Sequence, residues 1–508
     1  MKKGVFLFVF FVVLINLAFA GGVKETVATP TSVGYQNVLK VGINMEPITI
    51  CTPTKGTNVM CHMMSFSTHN TLVTISNEDN ATIKPCLAES WDILDGGKTI
   101  VFHLRKDVKF HNGETMTSED VVYSFKERIL KGGTSRALLS SVVDVVADDD
   151  YTIHFELSGA DQDLFYTLSA APSCIISKKA VETEGDEGEC YGTGAFKIEE
   201  YVQGEFVRMV RFDDYFGEKP KTEEIDWIIY LEDSARELAL ETGEIDICYS
   251  PANSDLPFIE KNPDLKLISV KGLNVYYIGF NTKVAPFDDE YVRQAIASCV
   301  NKEDAITVAF DGLADAVDNV MAPAVPMYTH VDGYTYNPTA AKELLSKSGY
   351  PGGFKSTIWV DRADEEQMAL VFKENLAQIG IDLTVVRLEA TTLKASWNNA
   401  DYQMCLQKFG NTGGPGTSFS YVFTSKAPAN RSKVSDSNVD LQTAAAAVET
   451  DQVKRQAMYR DLNEYITKKA YWAPICVPQI FVGIKASVKG AVYKGNGSHI
   501  LTYAYIEN

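Results

Sequence analysis

Along residues 99–104, Ile100, Phe102 and Leu104 alternate with Thr99, Val101 and His103. That two-residue period predicts a half-buried strand. A second strand precedes it across a turn at Gly96–Gly97, and Asn112–Gly113 marks another turn, since both residue types tolerate positive φ. Thr117 then caps a helix, with Asp120 three residues on as the other half of a capping box, and Val121, Phe125 and Ile129 on one face. The stretch reads as a β-β-α unit. Further along, residues 38–43 predict a strand and 57–73 a helix. Ile225, Trp227 and Ile229 alternate as a strand, a helix starts at Ser234 with Leu238 and Leu240 and ends at Gly243, and Ile245-Asp246-Ile247 begins another strand. A crossover of this kind implies parallel strands. The pattern repeats with a strand at 354–360, a helix at 364–379 and a strand at 381–388. Between these units, Asp288 is the expected N-cap of a helix carrying Val292, Ala295, Ile296 and Val300. Asn337-Pro338 opens another, packed through Leu344 and Leu345 and stopped at Gly349. A long helical region spans 440–469. The chain thus divides into two α/β halves.

Length agrees, because 508 residues exceed what one core accommodates. The N-terminus changes the picture. Lys2-Lys3, an apolar run over 5–17 and Ala18-Phe19-Ala20 have the form of a cleavable signal peptide over residues 1–20. The A-x-A ending favours cleavage over a membrane anchor. No cysteine follows the apolar run, so a lipoprotein anchor is not expected. Residues 21–36 are small and polar, a linker. The net charge of −20 makes a surface that repels phosphate backbones, which argues against nucleic-acid binding. Nine cysteines lack CxxC pairs. Export permits disulfides, and Cys174 with Cys190 brackets a loop that a bridge would staple; Cys51 with Cys61 is a second candidate pair.

Candidate chemistry is sparse. Seven histidines occur with no H-E-x-x-H or G-x-S-x-G arrangement, so no enzyme is expected. Gly192-Thr193-Gly194 leads into a strand, and Gly97-Lys98-Thr99 lacks the upstream glycine of a phosphate loop. Met60-Cys61-His62-Met63-Met64 is the sharpest anomaly. Cys61, His62 and Met64 suit a soft metal, but Met60, Met63 and Met64 also fall at the i, i+3, i+4 spacing of a packed helix face. Packing is the preferred reading, with no metal and no cofactor.

Together, the blocks at 87–130 (LAESWDILDGGKTIVFHLRKDVKFHNGETMTSEDVVYSFKERIL), 191–217, Gly243-Glu244-Ile245-Asp246, 274–306 and 470–490 closely resemble the family 5 extracellular solute-binding proteins of ABC transporters, the peptide- and nickel-binding group. The resemblance implies an α/β, two-lobed periplasmic-binding-protein fold, class II-like and of the type C cluster. Lobe I would be 37–272 plus 478–508, with a small subdomain at about 78–190; lobe II would be 273–477, with a hinge between. It implies a monomeric, periplasmic or extracytoplasmic binding component that delivers a small solute to ABC permease subunits. The solute would be an oligopeptide or peptide-like molecule, with a sugar open; a ligand-sensing or chaperone-like binder and a metal-chelate binder are the alternatives. In peptide-binding members, the segment matching 401–419 (DYQMCLQKFGNTGGPGTSF) carries an aromatic-x-Gly-Asp run before Gly-Asp-Pro, and the Asp pairs with the peptide ammonium. Here Gly410 keeps the glycine, Asn411 stands at the Asp, Lys408 at the aromatic position with Phe409 beside it, and Gly414-Pro415 replaces Asp-Pro. Tyr277, Trp397, Phe409, Gly410, Asn411 and Thr412 are the implied ligand residues. Restoring Asn411→Asp is then expected to improve affinity for free-amine peptides.

Overall fold

Strand Trp472–Lys485 ties the two halves together. In the computed structural model its first part pairs antiparallel with Asn274–Phe280, and its second part with Leu265–Lys271 and Ile247–Tyr249. The structure describes residues 37–507 except 51–57, 79–80, 132, 400–401 and 412–413. The expected leader and linker, Cys51 and Thr412 therefore lie outside the described residues.

On one side of this strand the sheet continues through Ile247–Tyr249, Val38–Ile43, Glu224–Ile229, Phe206–Arg211 and Phe196–Val202. Val38–Ile43 runs parallel to both Glu224–Ile229 and Ile247–Tyr249, as a strand–helix–strand crossover requires. On the other side lie Asn274–Phe280, Met404–Gly410, Phe354–Val360 and Ile381–Arg387, the last three parallel. A separate antiparallel sheet, Ala88–Leu94, Thr99–Leu104, Thr152–Leu157 and Val142–Asp149, packs a core that includes Phe102, Phe125 and Phe155. The fold is two-lobed α/β, with this four-stranded body as an addition.

Gly272 and Pro478 lie side by side, just after strand Leu265–Lys271 and within strand Trp472–Lys485. A Cβ on Gly272 would fall 2.3 Å from the Pro478 carbonyl oxygen, so the approach requires glycine.

The capping box forms as expected: the Thr117 amide donates to Asp120 Oδ2 at 2.9 Å. The helix Ser118–Tyr123 passes into a wider π-type turn over Ser124–Ile129. Three other elements differ from expectation. Asp289, not Asp288, caps Glu290–Cys299, accepting from the Tyr291 amide at 2.8 Å. Asp288 is spent in a tight turn onto the Val284 carbonyl beside buried Phe287. The region 440–469 is two helices, Ser437–Val448 and Gln452–Lys468, because Asp451 caps the second through the Val453 and Lys454 amides. The first helix is Val59–Thr68, shorter than 57–73, since the chain turns after His69 into strand Val73–Ile75.

The cysteine pairing is corrected. Cys174 and Cys61 are buried free thiols, whereas Cys190 is disulfide-bonded. Cys174 is buried near Cys86, where burial pushes its thiol up, and it is not the partner of Cys190. Met60, Met63 and Met64 enter the core with Leu39 and Trp227. Cys61 is buried while His62 is partly exposed, so the helix separates them, and among the described residues no cluster of three His, Cys, Asp or Glu could hold a metal. No helix among the described residues is long and apolar enough to cross a membrane.

Candidate functional site

Open α/β sheets place ligands beyond the carboxyl ends of their parallel strands. In the second lobe those ends are Val360, Arg387 and Gly410, with Asn274 beside Gly410.

Strand alternation sends the two tyrosines of Asn274–Phe280 to opposite faces. Tyr276 packs in the helix-covered core and donates its hydroxyl to Asp364 at 2.7 Å. Tyr277 is buried on the other face, stacked on Trp472 with ring centroids 3.4 Å apart and planes 8° from parallel. Phe409, half-buried, meets Trp472 edge-on at 6.2 Å and lies over Tyr421 at 6.3 Å. Tyr277 and Phe409 thus share one aromatic group around Trp472. Trp397 stands outside it, with the Arg431 guanidinium 3.7 Å above its ring. Arg431 also hydrogen-bonds the Tyr277 hydroxyl and donates to Gln407 Oε1 at 3.4 Å, joining the two aromatic groups.

At Gly410 a Cβ would fall 2.4 Å from Asn274 Oδ1, so the glycine lets two adjacent strands end in contact. Asn411 is buried, and its Nδ2 donates to the Gly414 carbonyl at 3.0 Å and to Ser418 Oγ at 2.9 Å. Its amide therefore holds its own loop. Gly414 has a packing cause as well: a Cβ there would fall 2.3 Å from Asp163 Oδ1. The carboxylate beside that loop comes from Asp163, more than two hundred residues away in sequence.

Sequence reasoning missed a polar row beneath the aromatic group. Gln407 Nε2 donates to Asp361 Oδ1 at 3.1 Å and to Glu365 Oε2 at 3.2 Å. Glu365 is fully buried; burial and the neighbouring Asp361 carboxyl push its pKa up to about 8. Burial also pushes Asp364 up, but hydrogen bonds from Arg362 and Tyr276 outweigh it and leave its carboxyl below the usual value. Lys408 is pulled down by burial and by Arg362. A signal for this row existed: Asp361, Arg362, Asp364 and Glu365 directly follow the carboxyl end of a parallel strand.

Glu365 makes a pH prediction. The folded state keeps its proton up to about pH 8, while the unfolded chain releases it near the ordinary glutamate value of 4.5. Its protonation-linked stability is therefore complete below about 4.5 and is lost as pH rises to about 8. Between pH 7 and 8 stability should fall by about 1 kcal/mol, approaching the one-proton slope. Urea titrations of Glu365→Gln should show that slope removed; an unchanged slope would refute the assignment.

The family described as bacterial extracellular solute-binding proteins, family 5 (middle), matches residues 82–431. The chain is 27% identical over 467 residues to heme-binding protein A of Haemophilus influenzae, covering 84% of this chain and 85% of that one. It is 27% identical over 460 residues to the dipeptide-binding protein of Escherichia coli, covering 83% and 86%. Among solved structures, HbpA2 from Haemophilus parasuis superposes with a TM-score of 0.83 at 25% identity, covering 93% of this chain and all of that one. The periplasmic binding protein DppA from Helicobacter pylori, in complex with the peptide STSA, superposes with a TM-score of 0.79 at 27% identity, covering 93% and 99%.

Proposed function

Because the chain belongs to the family 5 bacterial extracellular solute-binding proteins, a non-enzymatic binding family, we propose that it is the substrate-binding component of an ABC importer for a peptide-like solute. It would act outside the cytoplasmic membrane as a monomer, close about the crossings near Gly272 and Pro478, and hand the solute to permease subunits. The lobe boundaries expected from the sequence, 37–272 with 478–508 against 273–477, are part of this proposal.

The observation that carries the solute class is the shape of the strand-end site. The strand ends carry an aromatic group, Tyr277, Phe409 and Trp472, on one face and Asp364 and Lys408 around Tyr276 on the other, with Gln407 reaching Asp361 at the same edge, so charges of both signs gather there. Walls of this kind suit a zwitterionic chain better than a neutral one. The sugar reading is disfavoured, because Arg431 already covers a face of Trp397 on which a sugar ring would stack. Relatives named for dipeptide and glutathione binding support the same class. Native mass spectrometry of co-purified solute, followed by calorimetry with di- and tripeptides against monosaccharides, tests it. Binding of sugars with no response to peptides would overturn the reading.

Asn411→Asp now carries a cost that the motif alone did not show. A carboxylate cannot donate to the Gly414 carbonyl or to Ser418, so the loop should lose about 1–3 kcal/mol. The expected result is a lower unfolding midpoint and no gain in affinity for free-amine peptides. A tighter dipeptide complex with unchanged stability would restore the ammonium role to this position.

A further inference from the structure

The turn that follows the four-stranded body's strand Thr152–Leu157 meets the 414–416 loop and helix Gln452–Lys468 at a buried point. Asp161 accepts from the Asp163 amide at 3.0 Å and from Ser141 Oγ at 2.7 Å, which fixes the turn that presents Asp163. Asp163 reaches across to Arg455, forming an ion pair with its Nη2, and accepts from the Gly416 amide. Arg455 is 1% exposed, and the same Nη2 donates to the Tyr459 hydroxyl at 3.1 Å. Beside this pair, the Gln162 amide donates to the Ala447 carbonyl at 3.0 Å. The loop is cut to fit: a Cβ on Gly416 would fall 2.3 Å from Asp163 Oδ2 and 2.4 Å from the Tyr459 hydroxyl oxygen. The groups facing Asp163 are Arg455, Tyr459 and, from its own turn, Asp161.

The four-stranded body joins the second lobe in sequence only through the hinge crossings. On the hinge reading, rotation about them would part Asp163 from Arg455 and Gly416 and make these contacts specific to one arrangement. A contact present in only one of two states shifts the equilibrium toward that state. We propose that Asp163 and Arg455, seated against Gly414 and Gly416, form a latch that favours the closed arrangement of the lobes and couples it to the loop bearing Asn411. The latch rests on the hinge reading above, though not on which solute is bound.

The test uses the full mature protein, dialysed free of solute, with Asp163→Ala and, separately, Gly416→Ala, which blocks the seat without removing a charge. Hydrogen exchange at the Gln162 and Gly416 amides should accelerate about tenfold or more in both variants, a typical span for a coupling of this kind. The radius of gyration from small-angle X-ray scattering should rise in both. Amides of strands Val142–Asp149 and Thr152–Leu157 should keep wild-type protection, which separates opening from unfolding of the body. Unchanged exchange and radius in both variants would overturn the latch. So would exchange that accelerates equally in those strands, or a wild-type protein already as expanded as the variants. Failure of every peptide to bind, with the latch readout intact, would strike the solute class alone.

Discussion

Trp472→Ala is expected to lower the stability of the protein by about 3–5 kcal/mol, the range for deleting a large buried aromatic ring. The side chain is 1% exposed and stands where three parts of the second lobe meet. Tyr277 stacks on it at 3.4 Å, Phe423 lies at 4.7 Å and Phe409 at 6.2 Å, so truncation leaves a cavity walled by three other rings. Aromatic pairs of this sort add about 0.5–1.5 kcal/mol beyond the area they bury. The indole Nε1 has no hydrogen-bond partner among the described residues, so Trp472→Phe removes volume without orphaning a polar group and should retain most of the stability. Trp472 also begins the strand that crosses to the first lobe, so Ala should loosen Tyr277 and Phe409 and weaken solute binding. Urea unfolding followed by circular dichroism checks the first effect. A loss below about 1 kcal/mol would mean that the rings close over the gap and that the group is not the rigid wall described here.

Local elements were legible where one short-range rule decides them. The alternation in Thr99–Leu104 and the Thr117–Asp120 box each depend on residues within a few positions, and both form. The strand–helix–strand units were legible for the same reason, and their parallel pairing follows from the crossover. The site was legible only in outline. The motif match at 401–419 marked this stretch, but the role of Asn411 depends on how the loop folds back onto it. Arg431 and Trp397 are neighbours through tertiary packing, and no periodicity links them. Asp163 and Arg455 come together across 292 positions of sequence, and the glycine at 414 makes sense only once Asp163 is seen in that space. Cys174 and Cys190 illustrate the same limit, since spacing suggested a bridge while Cys174 is a buried free thiol and Cys190 is bonded elsewhere.

Gly194→Ala is expected to cost about 3 kcal/mol, at the upper end for forcing atoms into a packed interior. The Gly-x-Gly run at 192–194 has the composition of a phosphate-binding turn, yet its surroundings are protein backbone. A Cβ at 194 would fall 2.3 Å from the Thr68 carbonyl carbon and 2.4 Å from the Ser67 oxygen; at 192 it would fall 2.0 Å from the Thr68 oxygen. Backbone atoms cannot swing aside as a flexible side chain can. The same approach carries hydrogen bonds: the Gly194 amide donates to the Thr68 carbonyl at 2.9 Å, and the His111 amide donates to the Gly192 carbonyl at 2.9 Å. Burial first, with His111 nearby, lowers His69 to about 3, so the ring wedged beside these glycines stays neutral and offers no charge to an anion. Displacing the run therefore disturbs the end of helix Val59–Thr68 and the entry to the four-stranded body together. Gly159→Ala is the control, because nothing lies within 4 Å of its Cβ position, and it should stay within about 0.5 kcal/mol of wild type. Millimolar phosphate should leave the wild-type transition where it is, since a ligand that binds only the folded state would raise it. If Gly194→Ala unfolds like Gly159→Ala while phosphate stabilises the wild type, the run is an anion site and the packing account fails.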